Sequence, residues 1–245
     1  MVQFWDNSRN IPTDVQACMD SWKVLETAGF RCLLFDDITA RRYIVENYDS
    51  THAAAFDLCR HPAMRADYFR LCYVLRSGGV YVDADDEYQG VYLEEFIADG
   101  RLHVQALCYD LTANSMVPVD AAVNSNVNDK QIFYVNNNPL IAGPGHPAIE
   151  SALEQATSAL NVSDRSDRDV QSTTGPGNLT RALVRHSADL DSRGDFPDFW
   201  VMTRWDDVAV SKWPLAYRED GRNWRHWSRG VDLPHTPSAD NHEQA

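Results

Sequence analysis

Ala66–Asp85 reads A-D-Y-F-R-L-C-Y-V-L-R-S-G-G-V-Y-V-D-A-D. Pro62 suits a first helical position and Gly78-Gly79 supplies a left-handed stop, so residues 62–77 are predicted to form a helix. Tyr68, Leu71 and Leu75 recur at spacings of three and four and make a core-facing stripe. Asp67, Arg70 and Val74 lie on a neighbouring stripe, where the polar pair can face the end of a sheet. Val80–Val82 is then a short buried strand that delivers Asp83-Ala84-Asp85-Asp86-Glu87 to its carboxyl end, where open α/β sheets bind ligands.

The chain around this stretch alternates. Val2–Trp5 is an apolar run ending at Asp6-Asn7, consistent with a first strand. Pro12-Thr13 opens an amphipathic helix carrying Val15, Cys18, Met19, Trp22 and Leu25, stopped by Gly29. Cys32–Phe35 is a second strand, and Tyr43, Ile44 and Tyr48 suggest another helix. Strand–helix–strand–helix order predicts an α/β fold with parallel members and helices on the sheet faces. Further on, Leu102–Leu111 reads as a strand, and 124–130 as a polar loop. Phe133–Val135 and Leu140–Ala142 read as two apolar segments flanking Asn136-Asn137-Asn138. Pro147–Leu160 is a helix, 163–172 a charged loop, and Thr173–Gly177 a turn into a helix over about 178–185. One domain over 1–232 is expected, with 233–245, poor in apolar residues, as a disordered tail.

Composition narrows the function. The 245 residues, 44% of them hydrophobic, suffice for a full core. A formal charge of −14 argues against nucleic acid and anionic lipid as partners. The five cysteines, Cys18, Cys32, Cys59, Cys72 and Cys108, are irregularly spaced without a C-x-x-C, and read as reduced, buried thiols. No signal peptide or membrane span is visible, so a cytoplasmic location is expected.

The chemistry concentrates at residues 67–85. On strand period Asp83 and Asp85 share a face; their mutual repulsion is relieved by a bound divalent cation. A D-x-D at a strand end suits a hard cation carrying a polyphosphate. A solvated acidic turn is the plain alternative, but the upstream Asp67 and Arg70, three apart on one helix face, weigh against it. The combination points to an enzyme of nucleotide-sugar chemistry.

The pattern A-D-x-x-R followed by G-G-x-Y-x-D-x-D resembles the DXD-containing sugar-binding region of glycosyltransferase family 32. That group includes yeast Golgi α-mannosyltransferases and bacterial capsule enzymes, and is related to the clostridial glucosylating toxins. Val2-Gln3-Phe4-Trp5 is similar to the family's opening strand, Asn138–Pro147 to its N-x-x-x-A-x-x-G-H-P segment, and Thr174-Gly175-Pro176 to its T-G-P turn. The C-terminal His and Ser-Trp element is matched only loosely, by Asn223-Trp-Arg-His226-Trp227-Ser228.

The resemblance implies a GT-A-type fold and a metal-dependent, retaining hexosyltransferase using a UDP-hexose or GDP-mannose donor with Mn²⁺ or Mg²⁺. Asp85 matches the direct metal ligand, and Asp83 the contact to ribose and metal-bound water. Asp67 and Arg70 would hold the sugar hydroxyls, with Arg70 also able to brace the diphosphate. Tyr81 would sit beside the donor, Asn138 would line the sugar site, and Trp5 would stack on the base. Gly175 and Trp227 complete the implied substrate-binding set, with residues 223–228 expected to close over the donor. His146, before a helix, reads as a cap. The acceptor stays open among glycans, lipid-linked sugars, proteins and small natural products. Two alternatives remain: a Mg²⁺-dependent haloacid-dehalogenase-type phosphotransferase, and a degenerate protein that binds a nucleotide sugar without turnover.

Overall fold

The computed structural model describes residues 1–223 except 92, 94, 95, 125–127, 163–168, 213, 221 and 222. The expectations for Trp227, His226 and the 233–245 tail therefore lie outside the described residues.

The first half builds as the alternation requires. β1 (Val2–Phe4) leads to α1 (Thr13–Ser21), β2 (Leu33–Phe35) and α2 (Asp37–Asn47). The helix expected to run to Gly29 changes to a tighter 3-10 winding at Trp22–Ala28. Trp22 is fully buried, with its indole N–H donated to the Asp86 carbonyl at 2.7 Å, so tertiary demand sets the pitch there. Asp36 and Thr39 form a reciprocal cap at the start of α2. α3 (Ser50–Asp57) was not legible as a helix, although Asp49 caps it. α4 (Pro62–Ser77) has the expected bounds, with His61 accepting the Ala63 N–H as its cap. Gly78 turns at φ 65, and a Cβ there would lie 2.9 Å from the Pro144 ring, so a side chain would both strain the backbone and collide.

β3 (Gly79–Tyr81) follows, then β4 (Asp86–Tyr88), β5 (Leu102–Asp110), β6 (Ser115–Val117) and α5 (Val119–Asn124). β7 (Gln131–Ala142) is one strand where two segments were expected. α6 (Pro147–Asn161), α7 (Val170–Thr173), α8 (Pro176–Arg193), β8 (Phe199–Met202) and β9 (Ala209–Ser211) complete the order.

The main sheet is mixed, in the order β2-β1-β3-β7-β5-β6, with β8 also pairing with β5. β1 lies parallel to β2 and β3, and β5 parallel to β8, whereas β7 runs antiparallel to β3 and β5. β4 and β9 form a separate antiparallel pair beyond the carboxyl end of β3. Strand alternation separates two of the three core clusters. Tyr81 and Leu140 face the layer that includes α4, α6 and α8, while Val80, Val82 and Ile141 pack with Trp22, Leu93, Met202 and Trp205 on the other face. Hydrophobic surface buried on both faces, worth about 25 cal/mol per Å², holds the carboxyl end of β3 rigidly in place. No described helix is long and apolar enough to cross a membrane.

Candidate active site

The strand ends at Tyr81, so Asp83–Asp86 form a turn, closed by the Asp86 N–H on the Asp83 carbonyl at 3.2 Å. Strand alternation therefore does not orient Asp83 and Asp85, correcting the sequence argument; the turn does. Both nevertheless line one cavity of about 430 Å³, walled by the N-terminal half of α4, β7, β5, the start of α8 and the segment 205–223. That volume lies in the usual range for a small-ligand site. Its charged lining is six aspartates against two arginines.

Arg70 organises the floor. Its Nη2 lies 3.1 Å from Asp67 Oδ1 and 2.8 Å from Asp83 Oδ1, and its Nη1 donates to the Asn137 carbonyl at 2.8 Å. Its guanidinium carbon stands 4.3 Å from the Tyr81 ring centroid. Four groups from α4, β3, β7 and the acidic turn thus hold a side chain only 4% exposed. Tyr81, expected beside the donor, is fully buried beneath Arg70 and is not among the residues that wall the cavity.

Asp67 accepts a second bond from Asn137 Nδ2 at 2.8 Å. Asn138, the expected sugar-site residue, lines the cavity, but both ends of its amide are engaged. Its Oδ1 accepts the Asp83 N–H at 2.9 Å, and its Nδ2 donates to Asp86 Oδ2 at 2.8 Å. The Asn triplet that looked like a break in the strand is thus what ties β7 to the acidic turn. Gly175, the residue before α8, does not line the cavity. A Cβ there would meet the Val170 carbonyl at 2.9 Å and Asp67 Oδ2 at 3.2 Å, so its role is to leave room for the Asp67 carboxylate.

Asp85 is not the exposed strand-end acid that its sequence position suggests. Its side chain is 13% exposed, because the Tyr217 hydroxyl donates to Oδ2 at 2.6 Å and Arg218 forms a short ion pair with the same oxygen. Tyr217 in turn meets Trp5 edge-to-face, with ring centroids 5.2 Å apart. Trp5, 9% exposed, lines the cavity. Asp86, Asn137, Tyr217 and Arg218 were not among the expected site residues. Asp86 was at least visible as the third acid of the run; nothing in the sequence ties Arg218 to a site 133 residues upstream.

The carboxylates press on one another. Burial raises the pKa of Asp67, with Arg70 opposing. Asp83 is pushed up to about 6, by burial and by Asp85 and Asp67, against Arg70. Burial, then Asp85 and Asp83, raise Asp86 well above the usual range. A cluster with more carboxyl groups than arginines, with Asp83 and Asp85 on one cavity wall, is a donor set suited to a hard divalent cation. Asp83 and Asp85 would hold it.

A second group of possible ligands, His146, His186 and Asp198, lies outside this cavity. His146 Nδ1 accepts the Ala148 N–H at 3.2 Å as the cap of α6. The neutral ring then carries its proton on Nε2, which faces the Asp198 carbonyl at 3.3 Å. Burial lowers the His146 pKa and favours that neutral form, with Asp198 opposing. The nitrogen that a metal would need is thus a donor, and the group is a hydrogen-bonded clasp. His186 Nε2 completes it, 2.7 Å from Asp198 Oδ1.

Comparison with known proteins agrees with the geometry. Residues 12–98 match the model of a "Glycosyltransferase sugar-binding region containing DXD motif". The match contains α4, Arg70 and the acidic turn. No curated protein matches this sequence significantly. Among solved structures, "PaToxG Glycosyltransferase" is similar in fold, with a TM-score of 0.52 at 17% identity over 78% of this chain and 70% of that one. The mixed α/β architecture is of the GT-A type, and the chain is a transferase that carries a DXD-type glycosyltransferase sugar-binding region resembling family 32.

Proposed function

We propose that the protein moves a hexose from a nucleoside-diphosphate sugar, with UDP or GDP as carrier, to a hydroxyl acceptor, with Mn²⁺ or Mg²⁺ required and anomeric configuration retained. The observation that carries this reading is the Arg70 hub, which bridges Asp67 and Asp83 at the floor of a cavity that also holds Asp85 and Trp5.

In this reading the base lies against Trp5, and the diphosphate reaches the acidic turn. A bound divalent cation would neutralise the charge that develops as the nucleoside diphosphate leaves. Asp83 and Asp85 would supply its carboxylate ligands. Arg70 keeps Asp83 oriented and adds a fixed positive charge toward the leaving group, where preorganised electrostatics contribute most. Asp67, held by Arg70 and Asn137, adds its carboxylate to the part of the cavity wall proposed for the donor sugar. The acceptor class is left open.

Nucleotide release from a panel of UDP- and GDP-sugars, with and without Mn²⁺, tests the proposal. Cleavage of a phosphomonoester without use of any nucleotide sugar would favour the phosphotransferase alternative. Tight donor binding with no turnover under any condition would favour the degenerate one.

A further inference from the structure

We propose that Arg218 is a built-in counter-ion that stands on Asp85 where a divalent cation would stand, and that the guanidinium passes to the donor's diphosphate when the cation takes its place. This rests on the metal-dependent reading above.

The cavity's two arginines are held very differently. Arg70 belongs to a regular helix and meets Asp67, Asp83 and the Asn137 and Ala66 carbonyls, so it is a fixture of the floor. Arg218 lies on a 3-10 turn, Ala216–Glu219, outside the main sheet and its helices. Its Nη2 reaches Asp85 Oδ2 and, at 3.3 Å, Ser211 Oγ. The turn is pinned by Leu215 in the Trp5 cluster, by the Ala216 N–H on Asp14 Oδ2 at 2.6 Å and by Asn223 Nδ2 on the Arg218 carbonyl at 2.8 Å. The backbone at Arg218 is thus anchored by groups other than the Arg218–Asp85 pair.

Geometry sets the two cations in competition for one carboxylate oxygen, Asp85 Oδ2. Tyr217 and Arg218 both donate to Asp85 Oδ2 and leave the side chain 13% exposed, whereas Asp83 is 34% exposed. An ion bound to that Oδ2 must displace the guanidinium. A displaced Arg218 is still on the cavity wall, beside the acidic turn where a diphosphate would enter, and its planar fork suits two phosphate oxygens. Metal binding alone thus opposes the Arg218 contact, while metal and nucleoside diphosphate together use it. The two ligands are coupled, and the coupling is reciprocal.

The test is Mn²⁺ binding to the metal-free full-length protein, by calorimetry or by the electron paramagnetic resonance signal of free ion, with no sugar donor present. Arg218→Met is expected to bind Mn²⁺ roughly ten- to a hundredfold more tightly than wild type, because the ion no longer breaks a charge-assisted contact. Adding UDP or GDP should reverse the order, with the variant at least about tenfold weaker than wild type, since the fork on phosphate is lost. Arg218→Lys, which keeps a charge without the fork, should fall between them and serves if the Met variant folds poorly. Asp85→Asn separates the two claims. If it loses Mn²⁺ binding while both Arg218 variants bind the bare ion no better than wild type, the counter-ion proposal is overturned and the metal site stands. If Asp85→Asn binds Mn²⁺ as wild type does, or if no form binds it, the metal assignment falls and this proposal with it.

Discussion

Arg70→Met isolates the hub on which the site is built. The substitution keeps most of the aliphatic volume and removes the charge. Asp67, with a side chain 9% exposed, then loses its only cationic partner among the described residues, and the Asn137 carbonyl loses a donor. Removing one member of a buried ion pair costs about 3–5 kcal/mol, mostly from the stranded charge. At roughly 2–4 °C per kcal/mol for a chain of this size, the melting temperature should fall by about 10 °C. The double variant Asp67→Asn/Arg70→Met removes the stranded charge and should recover more than half of that loss. It should not recover donor use, because the charge facing the leaving group is still absent. Thermal or urea unfolding, together with nucleotide release from the preferred donor, reads both effects. Arg70→Met with wild-type stability and wild-type turnover would refute the reasoning, and so would a double variant no more stable than the single one.

Other substitutions probe separate parts of the account. Trp5→Ala should raise the donor KM and erode discrimination between uracil and guanine carriers, as stacking contributes about 1–3 kcal/mol per base; an unchanged KM in the folded fraction would make Trp5 a core residue only. Gly175→Ala should cost about 1–3 kcal/mol and lower kcat, because the added methyl group presses on the Val170 carbonyl and the Asp67 carboxylate; full activity would mean that Asp67 does not need its present position. His146→Ala should cost about 1 kcal/mol through the lost cap of α6 while leaving turnover and total Mn²⁺ stoichiometry unchanged; a lost equivalent of metal would show that the clasp binds an ion after all.

The parts of the fold that were legible in sequence are those where local chemistry and tertiary demand agree. α4 carries its own start at Pro62, its own stop at Gly78 and a clear stripe, and its bounds match. β7 was misjudged because asparagine disfavours strands. Asn136–Asn138 stay in the strand because Asn137 and Asn138 are committed to Asp67, Asp83 and Asp86. α8 starts earlier and runs longer than expected, from Pro176, which sits at its first position as a proline can. α3 is short and alanine-rich, so its polar contrast is weak. At the site, Asp67, Arg70 and the acidic turn were legible because they are neighbours in sequence. Tyr217 and Arg218 meet Asp85 only through folding, from a four-residue 3-10 turn too short to carry a periodic signal.

The central claim, sugar transfer from a nucleotide donor through the acidic turn, is tested most directly by one comparison. Nucleoside-diphosphate release from a UDP- and GDP-sugar panel is measured for wild type and Asp85→Asn, each with Mn²⁺ and with excess chelator. The account predicts release from at least one donor by wild type with Mn²⁺, abolished by chelator and by the substitution. Release from no donor, or release equally rapid in Asp85→Asn and in chelator, would contradict it.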